Sequence, residues 1–306
     1  MSGSTFPPAR QTIAVVGLGS IGGIAAGCLF DAGRHDVIAC VRHPLDRLVL
    51  ERPDKTITAD LRFLSDPAAA PRVDWVLVGT KTQQTPSIAP WLAKLCDGAT
   101  RVAALQNGIG HVDRLAPLVG AAKVVPTIVY YNGERLAPDR VRLRPVGECD
   151  LAVADDADGR DFAKLLEGTS LRVQASGDFA TLAWRKLLIN AVANPVTALT
   201  LQRQAVFRRD DIKNLCLHVL EEAAAVGRAD GARLDPDEPA RIMAQLLTYP
   251  PEAGTSMYFD RAAGRSLEVE ALTGAIVAAG ARYGIPTPLN GALVALLRAI
   301  SDAAKG

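Results

Sequence analysis

The chain has 306 residues, 49% of them hydrophobic and 22% charged, and its 34 Lys and Arg against 33 Asp and Glu give a formal net charge of +1. That balance argues against a nucleic-acid surface or an acidic tail, and the length suits two domains, each burying its own core. Five scattered cysteines (Cys28, Cys40, Cys96, Cys149 and Cys216), with no CxxC pair and no histidine at metal spacing, point to free thiols, no metal and a reducing compartment. Residues 1–10 are polar with no apolar leader core, and no stretch nears the ~20 apolar residues that span a bilayer, so the expectation is a cytoplasmic protein without membrane contact.

The first half alternates short β-rich runs, at 13–16, 37–41, 75–78, 102–105 and 124–129, with Ala/Leu-rich segments, the pattern of a parallel sheet covered by helices. The first run leads straight into Gly17-Leu18-Gly19-Ser20-Ile21-Gly22, a GxGxxG at the mouth of an Ala-rich helix. Gly17 permits the tight turn, Gly19 lets a pyrophosphate approach the backbone, Gly22 lets helix and strand pack closely, and the helix N-terminus favours an anion. A glycine turn that binds nothing is the alternative, and the β/α alternation around it weighs against that reading.

The second run ends in Val41-Arg42-His43, where an NAD enzyme usually carries an acid for the ribose hydroxyls. A guanidinium there suits a 2′-phosphate instead, so the expected cofactor is NADP(H), against the bland reading of a solvated arginine. Thr80-Lys81-Thr82 and Gln106-Asn107-Gly108-Ile109-Gly110 follow the next two runs, on the sheet edge that binds ligands in open α/β folds. Lys81 and Asn107 are therefore candidates, although Lys81 could be a surface lysine and Asn107-Gly108 a turn that tolerates positive φ.

Beyond Ser176–Phe179 the β-rich runs stop, and amphipathic stretches follow at 181–199, 210–230, 237–248 and 266–283. The expected fold is α/β, an N-terminal Rossmann-type doubly wound sheet (residues 1–178) followed by an all-helical C-terminal domain (residues 179–306). On the first of these helices Lys186, Asn190 and Asn194 fall within about 80° of one another over roughly 12 Å of axis. The residues between them are apolar, and a partly buried amine beside two amides needs partners, which a small polar ligand could supply. The 210–230 helix reads as core or subunit contact, which leaves a homodimer through the helical domain open. Met257, Tyr258 and Phe259 read as core, and His35, His43, His111 and His218 are isolated from any catalytic partner.

In order and spacing these pieces resemble the ketopantoate reductase (2-dehydropantoate 2-reductase) family over nearly the whole chain. The resemblance rests on GLGSIG, Arg42, Lys81, the QNGIG loop, and W-x-K-x-x-x-N-x-x-x-N-P from Trp184 to Pro195. It extends to Ser256-Met257 with Asp260, Gly264-Arg265 through Glu268 and Glu270 to Gly274, read as a helix, and Gly284 to Pro288. It implies Lys186 as the general acid and Glu268 as an orienting acid near the substrate hydroxyl and the nicotinamide. It implies Asn107, Asn190, Asn194 and Ser256 as substrate ligands, Asn107 also touching the cofactor, and Lys81 beside the nicotinamide ribose. Simpler readings make Lys186 a snorkelling helix lysine, Glu268 a partner of Arg265 and Ser256 a helix cap.

The sequence departs from that pattern at Gln204, where the family often has an Asn-Gly pair, at Tyr130-Tyr131, where small residues usually face the cofactor, and at Leu267. Gln204 is then a candidate replacement for a substrate amide. The implied activity is NADPH-dependent reduction of 2-dehydropantoate to D-pantoate in pantothenate and coenzyme A biosynthesis, with a small 2-keto acid as substrate. The alternatives are a related D-2-hydroxy acid dehydrogenase for another branched or aromatic keto acid, and a non-catalytic NADP-binding regulator.

Overall fold

Ile13, Ala14, Val15 and Val16 are at most 1% exposed, because the strand they form is covered on both faces, as a central parallel strand must be. In the computed structural model, which describes residues 10–304, the chain separates into two compact units. One runs to Gln106 and resumes from His111 to Gly177; the other joins Asn107–Gly110 to the residues from Asp178 onward. The expectation that residues 1–10 hold no leader lies, but for Arg10, outside the described residues.

The first unit follows, in chain order, β1 (Thr12–Val16), α1 (Ser20–Ala32), β2 (Asp36–Cys40), β3 (Leu48–Glu51), β4 (Thr56–Ala59), β5 (Arg62–Leu64) and β6 (Trp75–Val78). It continues with α2 (Ala89–Leu95), β7 (Arg101–Ala104), α3 (His111–Val119), β8 (Lys123–Pro126), β9 (Ile128–Val129) and β10 (Asn132–Ala137). It closes with β11 (Arg140–Arg144), β12 (Leu151–Ala154), α4 (Ala157–Leu165) and β13 (Val173–Ser176). Its main sheet has the order β5-β2-β1-β6-β7-β8 with every neighbouring pair parallel. The order reverses between β1 and β6, which makes their carboxyl ends the switch point where such sheets bind ligands.

Two smaller sheets, β10-β11-β3-β4 and β13-β12-β9, complete the unit. The first lies on α1, where Gly23 and Gly27 leave room: a Cβ at Gly27 would sit 2.8 Å from Leu50. The expected 124–129 strand is divided, since Pro126 has no N–H to carry the ladder onward.

The second unit holds α5 (Phe179–Thr200), α6 (Asp210–Ala229), α7 (Glu238–Thr248), α8 (Ser256–Ala262), α9 (Thr273–Tyr283) and α10 (Pro288–Ala303). Helix α5 is its axis, packed by all five others, with Trp184, Leu187, Leu188, Ala191, Val192 and Val196 buried. Trp184 donates its indole N–H to Asp230 at 2.9 Å, fixing the start of α5 to the end of α6. The expected 266–283 helix is shorter than its sequence pattern. Residues 267, 268, 269, 271 and 272 are all buried and only Glu270 among 267–272 is exposed, a pattern too buried for an amphipathic surface helix. Leu267 N–H goes instead to the Ser301 hydroxyl, 2.9 Å away, and helix begins only at Thr273. Glu268 therefore stands in an irregular stretch, not on a helix. Among the described residues no helix is long and apolar enough to cross a membrane, and no cluster of His, Cys, Asp or Glu could hold a metal ion.

Candidate active site

The loop that leaves β1 turns at Gly17, whose φ of +92° and contact with Thr80 exclude a side chain. Helix α1 then starts at Ser20 with Gly19 as its N-cap and no side chain capping it. Its first amides are left for a ligand, and a Cβ built on Gly19 would meet protein only at 3.8 Å, at the Gly79 carbonyl. The loop thus keeps open the space that a pyrophosphate needs against the backbone, so these residues fit a dinucleotide. Arg42 lies just past β2, exposed, with no ion-pair partner among the described residues. Lys81 follows β6, half-buried, as the N-cap of a short 3-10 helix, Thr82–Ile88. The buried Gln106 amide donates to the Thr80 carbonyl at 3.1 Å and to the Thr85 hydroxyl at 3.0 Å, so the loops after β6 and β7 are tied together.

In the second unit the α5 stripe is a connected group. Asn194, 4% exposed, donates from its side-chain Nδ2 to the Asn190 Oδ1 at 3.2 Å. Its own side-chain Oδ1 accepts from the Ser256 hydroxyl and from Met257 N–H, both at 3.3 Å. Helix α8 is capped by Thr255, whose hydroxyl accepts from Tyr258 N–H and meets the Thr197 hydroxyl at 2.7 Å. Ser256 is thus not the cap; it stands exposed beside Asn194. Thr197 was not foreseen, although its place one turn beyond Asn194 is the signal that would have found it. Lys186 is half-buried one turn before Asn190, and burial lowers its amine from the ordinary 10.5 to about 8.

Glu268, 8% exposed, accepts from the Asn107 amide at 3.2 Å, across 161 positions of sequence. The loop after β7 therefore belongs with the helices at Asn107–Gly110, and Ile109 packs on the helical core. Gly108 makes this possible: its φ is +87° and a Cβ there would collide with the Ala271 carbonyl. Gly108→Ala is expected to lower stability by at least about 1 kcal/mol, a drop of about 2–4 °C in the thermal midpoint. A calorimetric scan that matches the parent protein would show that the loop can relax away from Ala271.

Arg265 pairs with Asp260 at 3.0 Å, so its ion pair in the fold is with that residue. Gln204 is 7% exposed on a single turn, Gln204–Arg208; its backbone N–H donates to Ala253 at 3.0 Å, and its side-chain oxygen has no hydrogen-bond partner among the described residues. No hydrogen bond among them joins it to Asn190, Asn194 or Ser256. Of Met257, Tyr258 and Phe259, expected in the core, only Met257 is buried there; Phe259 is 47% exposed and Tyr258 packs edge-on against it at 5.2 Å. Arg203 covers both rings, so the pair is stabilised from solvent by a guanidinium instead of by burial.

The chain is similar to known proteins over nearly its whole length. Residues 13–156 match the model of the family described as ketopantoate reductase PanE/ApbA, and residues 178–301 match that of its C-terminal domain. The chain is 38% identical to a 2-dehydropantoate 2-reductase of Caulobacter vibrioides, over 94% of this chain and 98% of that one. It is 39% identical to a 2-dehydropantoate 2-reductase of Mycobacterium tuberculosis, over 95% and 98%. A crystal structure of a PanE/ApbA family ketopantoate reductase from Ralstonia eutropha superposes with a TM-score of 0.86 at 30% identity, covering 96% of this chain and all of that one.

Proposed function

The chain belongs to the ketopantoate reductase family, and we propose that it reduces 2-dehydropantoate to D-pantoate with NADPH, Lys186 giving the proton. As a member of that family it is an oxidoreductase acting on a small keto acid. The observation that carries the finer reading is the Lys186, Asn190, Asn194 and Ser256 group on α5 and α8, a half-buried amine of lowered pKa beside a linked set of amides.

The Gly17–Gly22 loop and the N-terminus of α1 would hold the pyrophosphate, Arg42 the 2′-phosphate, and Lys81 and Asn107 the nicotinamide ribose end. When bound, NADPH supplies the hydride. Lys186 Nζ hands its proton to the keto oxygen as the carbonyl carbon gains that hydride, and its charge stabilises the oxyanion that develops. Asn194 spends its carbonyl oxygen on Ser256 and Met257 and one N–H on Asn190, so it holds Asn190 and Ser256 in position to meet the substrate's oxygens. Glu268 accepts the substrate hydroxyl, and its bond from Asn107 fixes the carboxylate for that task.

NADPH oxidation should be fastest with ketopantoate among ketopantoate, 2-ketoisovalerate and benzoylformate, measured by the loss of nicotinamide absorbance. A preference for benzoylformate would move the assignment to an aromatic 2-hydroxy acid dehydrogenase. Inactivity with all three would overturn the reductase reading.

A further inference from the structure

We propose that Tyr131 is a positioning residue that holds the first turn of α1, and through it the amides that meet the cofactor's pyrophosphate. The proposal rests on the dinucleotide reading of the glycine loop. A helix start is usually held from its own end by a Ser, Thr or Asp cap, but α1 begins on Gly19 with no side-chain cap, because those amides are kept for a ligand. The turn must then be held from its flank.

Tyr131 supplies that hold. It is 2% exposed, packed in the core that includes Cys28, and its hydroxyl donates to the Ile21 carbonyl at 2.9 Å. A buried phenol needs such a partner, and the ring fixes where the hydroxyl can reach. Two residues on, Gly133 lies so close to the same turn that a Cβ there would stand 2.8 Å from the Ser20 Cβ and 2.9 Å from Ile24 Cδ1. Residues 20, 21 and 24 are thus gripped by one short segment.

That segment is itself anchored. Tyr130 N–H and Tyr131 N–H both donate to the Asp150 carbonyl, at 2.8 and 3.4 Å. The buried Asp150 carboxylate accepts from Arg172 three times, from its backbone N–H and Nε at 2.9 Å and from Nη2 at 3.2 Å. The small β13-β12-β9 sheet therefore forms the abutment against which the phosphate-binding turn is set. The tyrosine that stands where a small residue was expected points its hydroxyl at the helix backbone.

The test is Tyr131→Phe, which keeps the ring and removes the donor, with NADPH and adenosine 2′-phosphate titrated by calorimetry; the second probe reports on Arg42 without a pyrophosphate. NADPH affinity should fall about fivefold, the scale of one hydrogen bond, with adenosine 2′-phosphate affinity held within about twofold. Amide hydrogen exchange over residues 20–25 should quicken in the cofactor-free variant. Unchanged NADPH affinity, or an equal loss for both ligands, would overturn the role. If Tyr131→Phe does not fold, Gly133→Ala, which presses on Ser20 from the same side, must give the same selective loss. Failure of the parent protein to bind NADPH would overturn the cofactor reading itself, whereas a binding parent with an indifferent variant would overturn only the role of Tyr131.

Discussion

Lys186→Ala is expected to lower kcat for keto acid reduction by at least about a hundredfold while NADPH affinity changes less than about twofold. The amine sits half-buried on α5, and desolvation lowers it to about 8, close to working pH yet still mostly protonated at neutrality. In the proposed role an amine of that pKa would give its proton readily. Reduction by the parent protein should slow as pH rises through about 8, where the donor has lost its proton, and the reverse oxidation should gain over the same range. An alanine variant with near-parent kcat, or a parent profile flat from pH 7 to 9, would remove Lys186 from the chemistry. The same burial has a sign for stability. The folded pKa lies below the ordinary 10.5, so the unfolded chain binds more protons from about 8 to 10.5, and the fold gains stability as pH rises through that window.

Arg42→Glu should weaken NADPH binding at least about tenfold and leave NADH within about threefold. A guanidinium just past β2, with no acidic partner among the described residues, is available for bidentate contact with a 2′-phosphate, and a carboxylate there adds repulsion to the lost bonds. Fluorescence titration of both reduced cofactors measures the ratio. An equal loss for both would place Arg42 outside phosphate recognition, its effect then being general.

Strands β1, β6 and β7 were readable because each is a short, almost wholly buried apolar run, and all three lie within a residue of the expected spans. The β10-β11-β3-β4 sheet was not, because its outward residues are charged. Arg140, Arg142 and Arg144 alternate with buried Val141 and Leu143 on β11, and Glu51 and Glu134 neutralise them from neighbouring strands. A chain-order reading sees only scattered charges there. The α5 stripe was legible since helical spacing alone brings Asn190 and Asn194 together. The Asn107–Glu268 contact joins two irregular segments far apart in sequence, so no local periodicity announces it, and helical patterning around Glu268 pointed the wrong way.

The chain passes from one unit to the other three times, after Gln106, after Gly110 and after Gly177. For anyone recombining this protein with a relative, a single splice near residue 178 is the natural choice and the wrong one. It would marry one parent's Asn107 and Gly108 to the other's Glu268 and Ala271, the residues they meet in this fold. A chimera that carries four residues, 107–110, along with the helices keeps those partners together, so the heritable module here is discontinuous in the gene though contiguous in space.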